Sequence, residues 1–164
     1  DSHPDRDSYL ISTAYTDTLA EIDTDGNPLR IIGGRNAVPS DVDYIYDDPG
    51  DLFSRPHGIN WTSKGDLLVF STVNNVSSVI RYELDDDNGV MFGRWQFGEE
   101  YGYEAKALGE ARELPDGNIL IGWGSVGLIQ VVDPSTNTVL WEAQSALEQF
   151  PTQLHYLDSP YSTH

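Results

Sequence analysis

The feature that most constrains this chain is one pattern that occurs three times. It consists of a turn rich in Asp, Gly and Asn, a β-rich apolar run, a polar break, and a second apolar run that ends in an acidic turn. It reads DRDSYLISTAYTDTLAEIDTDGNPLRIIGG, then SKGDLLVFSTVNNVSSVIRYELDDDNGVMFGRWQFG, then LPDGNILIGWGSVGLIQVVDPSTNTVLWEA. A unit of this kind cannot bury its apolar face alone, so successive units must stack on one another.

The spacing suits the blades of a β-propeller. Leu67 and Ile119 stand 52 residues apart and Leu10 stands 57 before Leu67, slightly more than the ~40–50 residues of a blade, with long loops taking up the excess. With strands labelled a to d from the inside outward, the second unit places a at 56–61, b at 66–72, c at 77–84 and d at 89–97. The third places them at 109–114, 118–123, 126–133 and 138–144. Asp25-Gly26 and Asp116-Gly117 supply the positive-φ positions that tight hairpins need. The first unit shows only b at 8–14, c at 17–23 and d at 27–32, and 153–158 reads as one more inner strand.

The predicted fold is therefore all-β, a single propeller segment over 1–164. It has about three four-stranded antiparallel blades (8–35, 55–98 and 106–145) and a final strand at 153–158. Three blades are fewer than the ~4–8 of a closed propeller. The orphan strands predict completion by a second copy of the chain or by the remaining blades of a larger propeller. Contiguous Val139, Leu140 and Trp141 argue against a helix over 135–150, leaving at most a turn at 145–149. Residues 36–55 carry two prolines, five aspartates and no period, and read as a long surface loop.

Composition narrows the partners. The formal charge is −18, from 27 acidic and 9 basic residues, whereas binding phosphates requires a cationic surface; nucleic acid and anionic membranes are excluded as partners. Such acidity suits a solvated surface in a saline or extracellular setting. No cysteine occurs, so there is no disulfide, thiolate nucleophile or Cys-based zinc site. No apolar run approaches the ~18 residues of a membrane span, and the chain shows no targeting segment.

From His57 onward, HGINWTSKGDLLVFSTVNNVSSVIRYELDDDNGVMFGRWQFG and ALGEARELPDGNILIGWGSVGLIQVVDPSTNTVLWE together resemble the C-terminal half of the arylsulfotransferase-like β-propellers. Residues 78–85 and 114–121 follow that pattern most closely. The resemblance implies an extracytoplasmic aryl sulfotransferase that needs no PAPS and no cofactor. Such an enzyme moves a sulfuryl group between phenols through a sulfohistidine on the propeller axis. It also implies a phenolic sulfate ester as ligand and His57 as the catalytic residue.

Imidazole is a nucleophile at neutral pH, and the charge that builds on sulfuryl oxygens needs cations or donors nearby, which Arg55 could supply. Glu110, at the corresponding place in the third unit, and His155, on the final strand, could line the same channel. A histidine bonded to local backbone is the competing reading of His57, and a non-catalytic module pairing through its strand edges is the competing reading of the chain. The Asp-rich stretches 23–27 and 85–89 do not have the spacing of a calcium loop and read as hairpin turns. No metal site is expected. Asn60-Trp61-Thr62 and Asn75-Val76-Ser77 match the glycosylation acceptor pattern.

Overall fold

The computed structural model describes residues 7–48, 50 and 52–145, and among these the chain is all-β, with only short 3-10 turns between strands. β1 (Ser8–Thr13), β2 (Thr18–Asp23) and β3 (Pro28–Gly33) form a three-stranded antiparallel sheet, blade 1. β5 (His57–Trp61), β6 (Leu67–Val73), β7 (Val76–Asp85) and β8 (Val90–Phe97) form blade 2. β9 (Gly109–Glu113), β10 (Ile119–Trp123), β11 (Leu128–Asp133) and β12 (Thr138–Gln144) form blade 3. The tight turns between strands use positive-φ residues, among them Gly26, Gly65, Gly89 and Gly117. The final strand expected at 153–158 and the turn at 145–149 fall on or run into residues outside those described.

The blades stack face to face. Between blades 1 and 2 lie Leu10, Leu19 and Ile32 against Ile59, Leu67, Val69, Ile80 and Tyr82. Between blades 2 and 3 lie Leu68, Phe70, Val79 and Phe97 against Ala111, Ile119, Ile121 and Trp123. Alternation along β6 thus sends Leu67 and Val69 to one neighbour and Leu68 and Phe70 to the other, which is why the strand reads as an unbroken apolar run.

The same alternation corrects the alignment of the first unit by one residue. Leu10 faces the following blade, as Leu68 does, whereas Leu67 and Ile119 face the preceding one. The counterpart of Leu67 in blade 1 is therefore not Leu10 but a residue of the opposite face, Tyr9 or Ile11. Composition matched the apolar residues, but the face each occupies fixes the register.

Two further expectations change. The segment 36–55 is not only a surface loop: β4 (Ile45–Tyr46) joins blade 2 as a fifth strand, parallel to β8, and Tyr44 and Phe53 are buried. Phe53, Tyr46 and Tyr82 meet edge to face, with centroids 5.8 to 6.3 Å apart. A two-residue strand produces no detectable period. Asn60 in its acceptor pattern is buried and its Nδ2 donates to the Ala111 carbonyl at 2.8 Å, so it joins blade 2 to blade 3 and is closed to glycosylation. Asn75 is exposed.

Phe70 is fully buried and meets Trp123 edge on at 5.6 Å. Phe70→Ala is expected to cost about 3–5 kcal/mol in urea denaturation, because the cavity it leaves lies between two blades that cannot both collapse into it.

Candidate functional site

The start of β5 is held in place by its neighbours. His57 pairs with Phe70 of β6, Pro56 fixes the backbone before it, and Arg55 has a left-handed backbone at φ 49°. Ser54 is pinned to β6: its carbonyl accepts from Thr72 N–H at 2.8 Å and from Ser71 Oγ at 3.2 Å.

At this end of the sheets a cavity of about 330 Å³ is lined by Ala14, Tyr15, Asp17, Asn36, Ser54, Arg55, His57 and Lys106. Three connections meet there: the β1–β2 turn, the segment entering β5 and the segment entering β9. The His57 imidazole is half-buried, and burial first and the Arg55 charge second hold its pKa below the ordinary 6.5. It is therefore neutral, with a lone pair available, at neutral pH.

Four of the eight cations among the described residues lie in ion pairs. Arg30 is paired with Glu21 and Asp86, Arg94 with Glu83, Arg112 with Glu110, and Arg81 lies 3.7 Å from Asp66. Arg35, Arg55, Lys64 and Lys106 make no ion pair with a described residue, and of these Arg55 and Lys106 line the cavity that holds His57. The carboxylate in the same wall, Asp17, is buried and already accepts four hydrogen bonds: from Arg55 N–H (2.6 Å), Asn36 N–H (3.2 Å), Asn36 Nδ2 (2.6 Å) and Ser54 Oγ (3.0 Å). The cavity wall thus carries two cations against one carboxylate whose oxygens are turned to donors, a net positive balance, and a small anion is the ligand that its electrostatics admit.

Of the residues singled out from sequence, the structure brings His57 and Arg55 together. Glu110 sits on β9, where its carboxylate accepts from Arg112 Nε at 2.7 Å, and it is not among the lining residues. His155 lies outside the described residues. Lys106 and Asp17 escaped the sequence reading. A signal for Lys106 was present, since it precedes inner strand β9 much as Arg55 precedes inner strand β5. Asp17 gave none, because an Asp in a hairpin turn is commonplace. The Asp-rich turns hold their own backbone: Asp23 Oδ1 accepts from the amides of Asp25 and Asn27 at 2.9 and 2.8 Å.

No family model matches the chain. The arylsulfate sulfotransferase AssT of Lelliottia amnigena is 25% identical over 162 residues, covering 84% of this chain and 26% of its own length. The chain thus spans about a quarter of the length of the curated relative it matches. A candidate 6-phosphogluconolactonase from Bacteroides uniformis superimposes with a TM-score of 0.52 at 12% identity, over 85% of this chain and 37% of that one. The Dos1 propeller aligns with a TM-score of 0.43 at 16% identity, over 85% of this chain and 33% of that one. The chain is a β-propeller segment with distant similarity to an arylsulfate sulfotransferase. No helix among the described residues is long and apolar enough to cross a membrane.

The depressed His57 pKa has a definite sign for stability. The folded state binds fewer protons than the unfolded state between the depressed value and 6.5, so the contribution is present above 6.5 and is lost as pH falls through the folded pKa. Arg55→Ala should move the His57 titration upward, toward the ordinary value, as followed by NMR of the imidazole protons. An unchanged titration would remove Arg55 from its neighbourhood.

Proposed function

We propose that this chain belongs to an extracytoplasmic arylsulfotransferase-like propeller and carries its nucleophile, His57, which takes a sulfuryl group from one phenol and passes it to another. The observation that carries this reading is the convergence of a neutral imidazole with Arg55 and Lys106 on one cavity of a chain whose net charge is −18.

In the first half-reaction an imidazole nitrogen forms a bond to the sulfur of an aryl sulfate. The bond from sulfur to the aryl oxygen breaks, and the phenolate leaves and takes up a proton from solvent. In the second half-reaction a deprotonated acceptor phenol attacks the same sulfur, and the S–N bond breaks to restore imidazole. No outside oxidant or cofactor enters the balance. Arg55 and Lys106 stabilise the negative charge on the non-bridging oxygens as it grows, an effect that mutagenesis elsewhere values at about 10²–10³ in rate per donor. Asp17 keeps its negative charge, but its oxygens are turned to four donors and the two cations outweigh it.

A specific observation supports partners as well. The outer face of blade 1 exposes Tyr9 (52%) and Ile11, and the outer face of blade 3 exposes Trp141 (53%) beside half-buried Leu120 and Val131. These are the positions that the inner blades bury against each other, and β1 lacks an inner neighbour among the described residues. Under the same proposal, further blades or a second copy of the chain cover these faces. The alternative role, a non-catalytic module recruited through its edges, makes the same use of them.

His57→Ala is expected to abolish turnover of 4-nitrophenyl sulfate with a phenol acceptor and to leave the circular dichroism unchanged; retained turnover would refute the mechanism. Light scattering after size exclusion is expected to show self-association or a larger assembly. A stable, well-behaved monomer at moderate concentration counts against the covered faces.

A further inference from the structure

We propose that Asp17, contributed by blade 1, is a positioning residue: its carboxylate fixes the backbone that presents Arg55 and His57 of blade 2 to the cavity. The inference rests on the reading of that cavity as a sulfuryl-transfer site, and adds a residue that touches neither sulfur nor phenol.

The argument starts from the chain path. Between blades 1 and 2 the chain leaves β3 and returns to β5 through residues 34–56, an excursion long enough for its two ends to move independently. They are tied together instead at one buried point. The Asp17 carbonyl accepts from Gly34 N–H at 2.6 Å, and Arg35 N–H donates to the Phe53 carbonyl at 2.8 Å. The carboxylate then divides its oxygens. Oδ2 receives both donors of Asn36, at the outgoing end, and the Ser54 hydroxyl at the returning end; Oδ1 receives Arg55 N–H at 2.6 Å.

Arg55 needs such an anchor. Its φ of 49° is a conformation that a non-glycine residue adopts only when its surroundings hold it there. The bond from its amide to Oδ1 is charge-assisted and lies where Asp17 is nearly inaccessible to water, so it is stronger than an ordinary amide bond. With Arg55 fixed and Pro56 next in the chain, little freedom remains in the direction of the His57 side chain. Asp17 itself sits at φ 49° in the β1–β2 turn, so the clamp transmits the position of blade 1 to the entry of blade 2. The groups around His57 are then Arg55 on its own segment, Lys106 from the approach to blade 3, and Asp17, whose oxygens are turned to four donors.

A carboxylate is required because both oxygens only accept. An asparagine of the same shape must turn an NH₂ toward either Arg55 N–H or the donors at Oδ2, and one set loses its partner. Asp17→Asn is therefore the sharp test, with the exposed Asp41→Asn as control.

Three readouts on the intact protein separate the outcomes. In the unaltered protein, hydrogen exchange at the Arg55 amide should be slow despite its place in a connection; rapid exchange overturns the clamp without any variant. Asp17→Asn also removes one negative charge, which alone would lower the His57 pKa and strengthen sulfate binding. The clamp predicts the opposite of both, with the His57 imidazole titrating at higher pH because a loosened Arg55 moves its charge away and admits water. Inorganic sulfate should bind about tenfold more weakly, the scale of one lost charge-assisted contact. A folded variant with unchanged His57 titration and sulfate affinity overturns the proposal. If the unaltered protein binds no sulfate but the His57 titration still moves in the variant, the sulfuryl-transfer reading fails while the positioning role stands.

Discussion

The structure depends on one sheet being apolar on both faces. β6 is buried along nearly its whole length, and its alternate residues enter two different cores. A sheet of this kind cannot stand at a surface, so blade 2 requires a neighbour on each side. Those neighbours place the inner strands β5 and β9 against each other, with Asn60 bonded across to Ala111 and Gly58 so close to Glu110 that a Cβ there would lie 2.5 Å from its Cα. The stack thereby brings the approaches to both inner strands to the same end, and with them Arg55, His57 and Lys106. The site follows from the packing and needs no additional element to build it.

The interface between blades 1 and 2 holds a buried polar network centred on Arg30. Arg30 is buried, donates to the carboxylate of Glu21, to the Tyr44 hydroxyl at 2.8 Å and to Asp86, and lies 5.2 Å from the Trp61 ring centre. Glu21 in turn accepts from Ser8. A buried network of this kind contributes little net stability over an apolar filling, but breaking it by removing one member leaves a charge without compensation. Such a network specifies which blade follows which. Across the interface it joins Arg30 of blade 1 to Asp86 in the β7–β8 turn of blade 2, so a blade without that cation could not take the place of blade 1.

The architecture was legible in the sequence because it is carried by local signals: Asp-Gly turns, alternating runs and a repeat near fifty residues. Strands β5 to β12 fall within a residue or two of the positions read from those signals. What was not legible depends on relations between distant residues. The one-residue register of blade 1 depends on which face Tyr9 and Leu10 take, and both are apolar. The strand β4 consists of two residues that pair with β8 in parallel, too short to leave a pattern. At the site, His57 and Arg55 stood out because they adjoin an inner strand. Asp17 could not, since its role arises only when a hairpin turn of one blade meets the loop entering the next.

The charge of the molecule sharpens what the cavity can do. A chain at −18 repels anions at a distance, so a sulfate-like ligand must be bound by forces of short range. At physiological ionic strength exposed charges beyond about 8 Å are largely screened, whereas a cation in contact with a bound anion is not. Surface carboxylates therefore cost such a ligand little once it lies between Arg55 and Lys106, while a carboxylate in the cavity wall with its oxygens aimed at the ligand would cost a great deal. The wall contains one carboxylate, Asp17, and its two oxygens are turned into the backbone and held by four donors. Solvating that carboxylate and fixing the backbone of the cation beside it are accomplished by the same set of hydrogen bonds, so the geometry of the loop and the electrostatics of the site cannot vary independently.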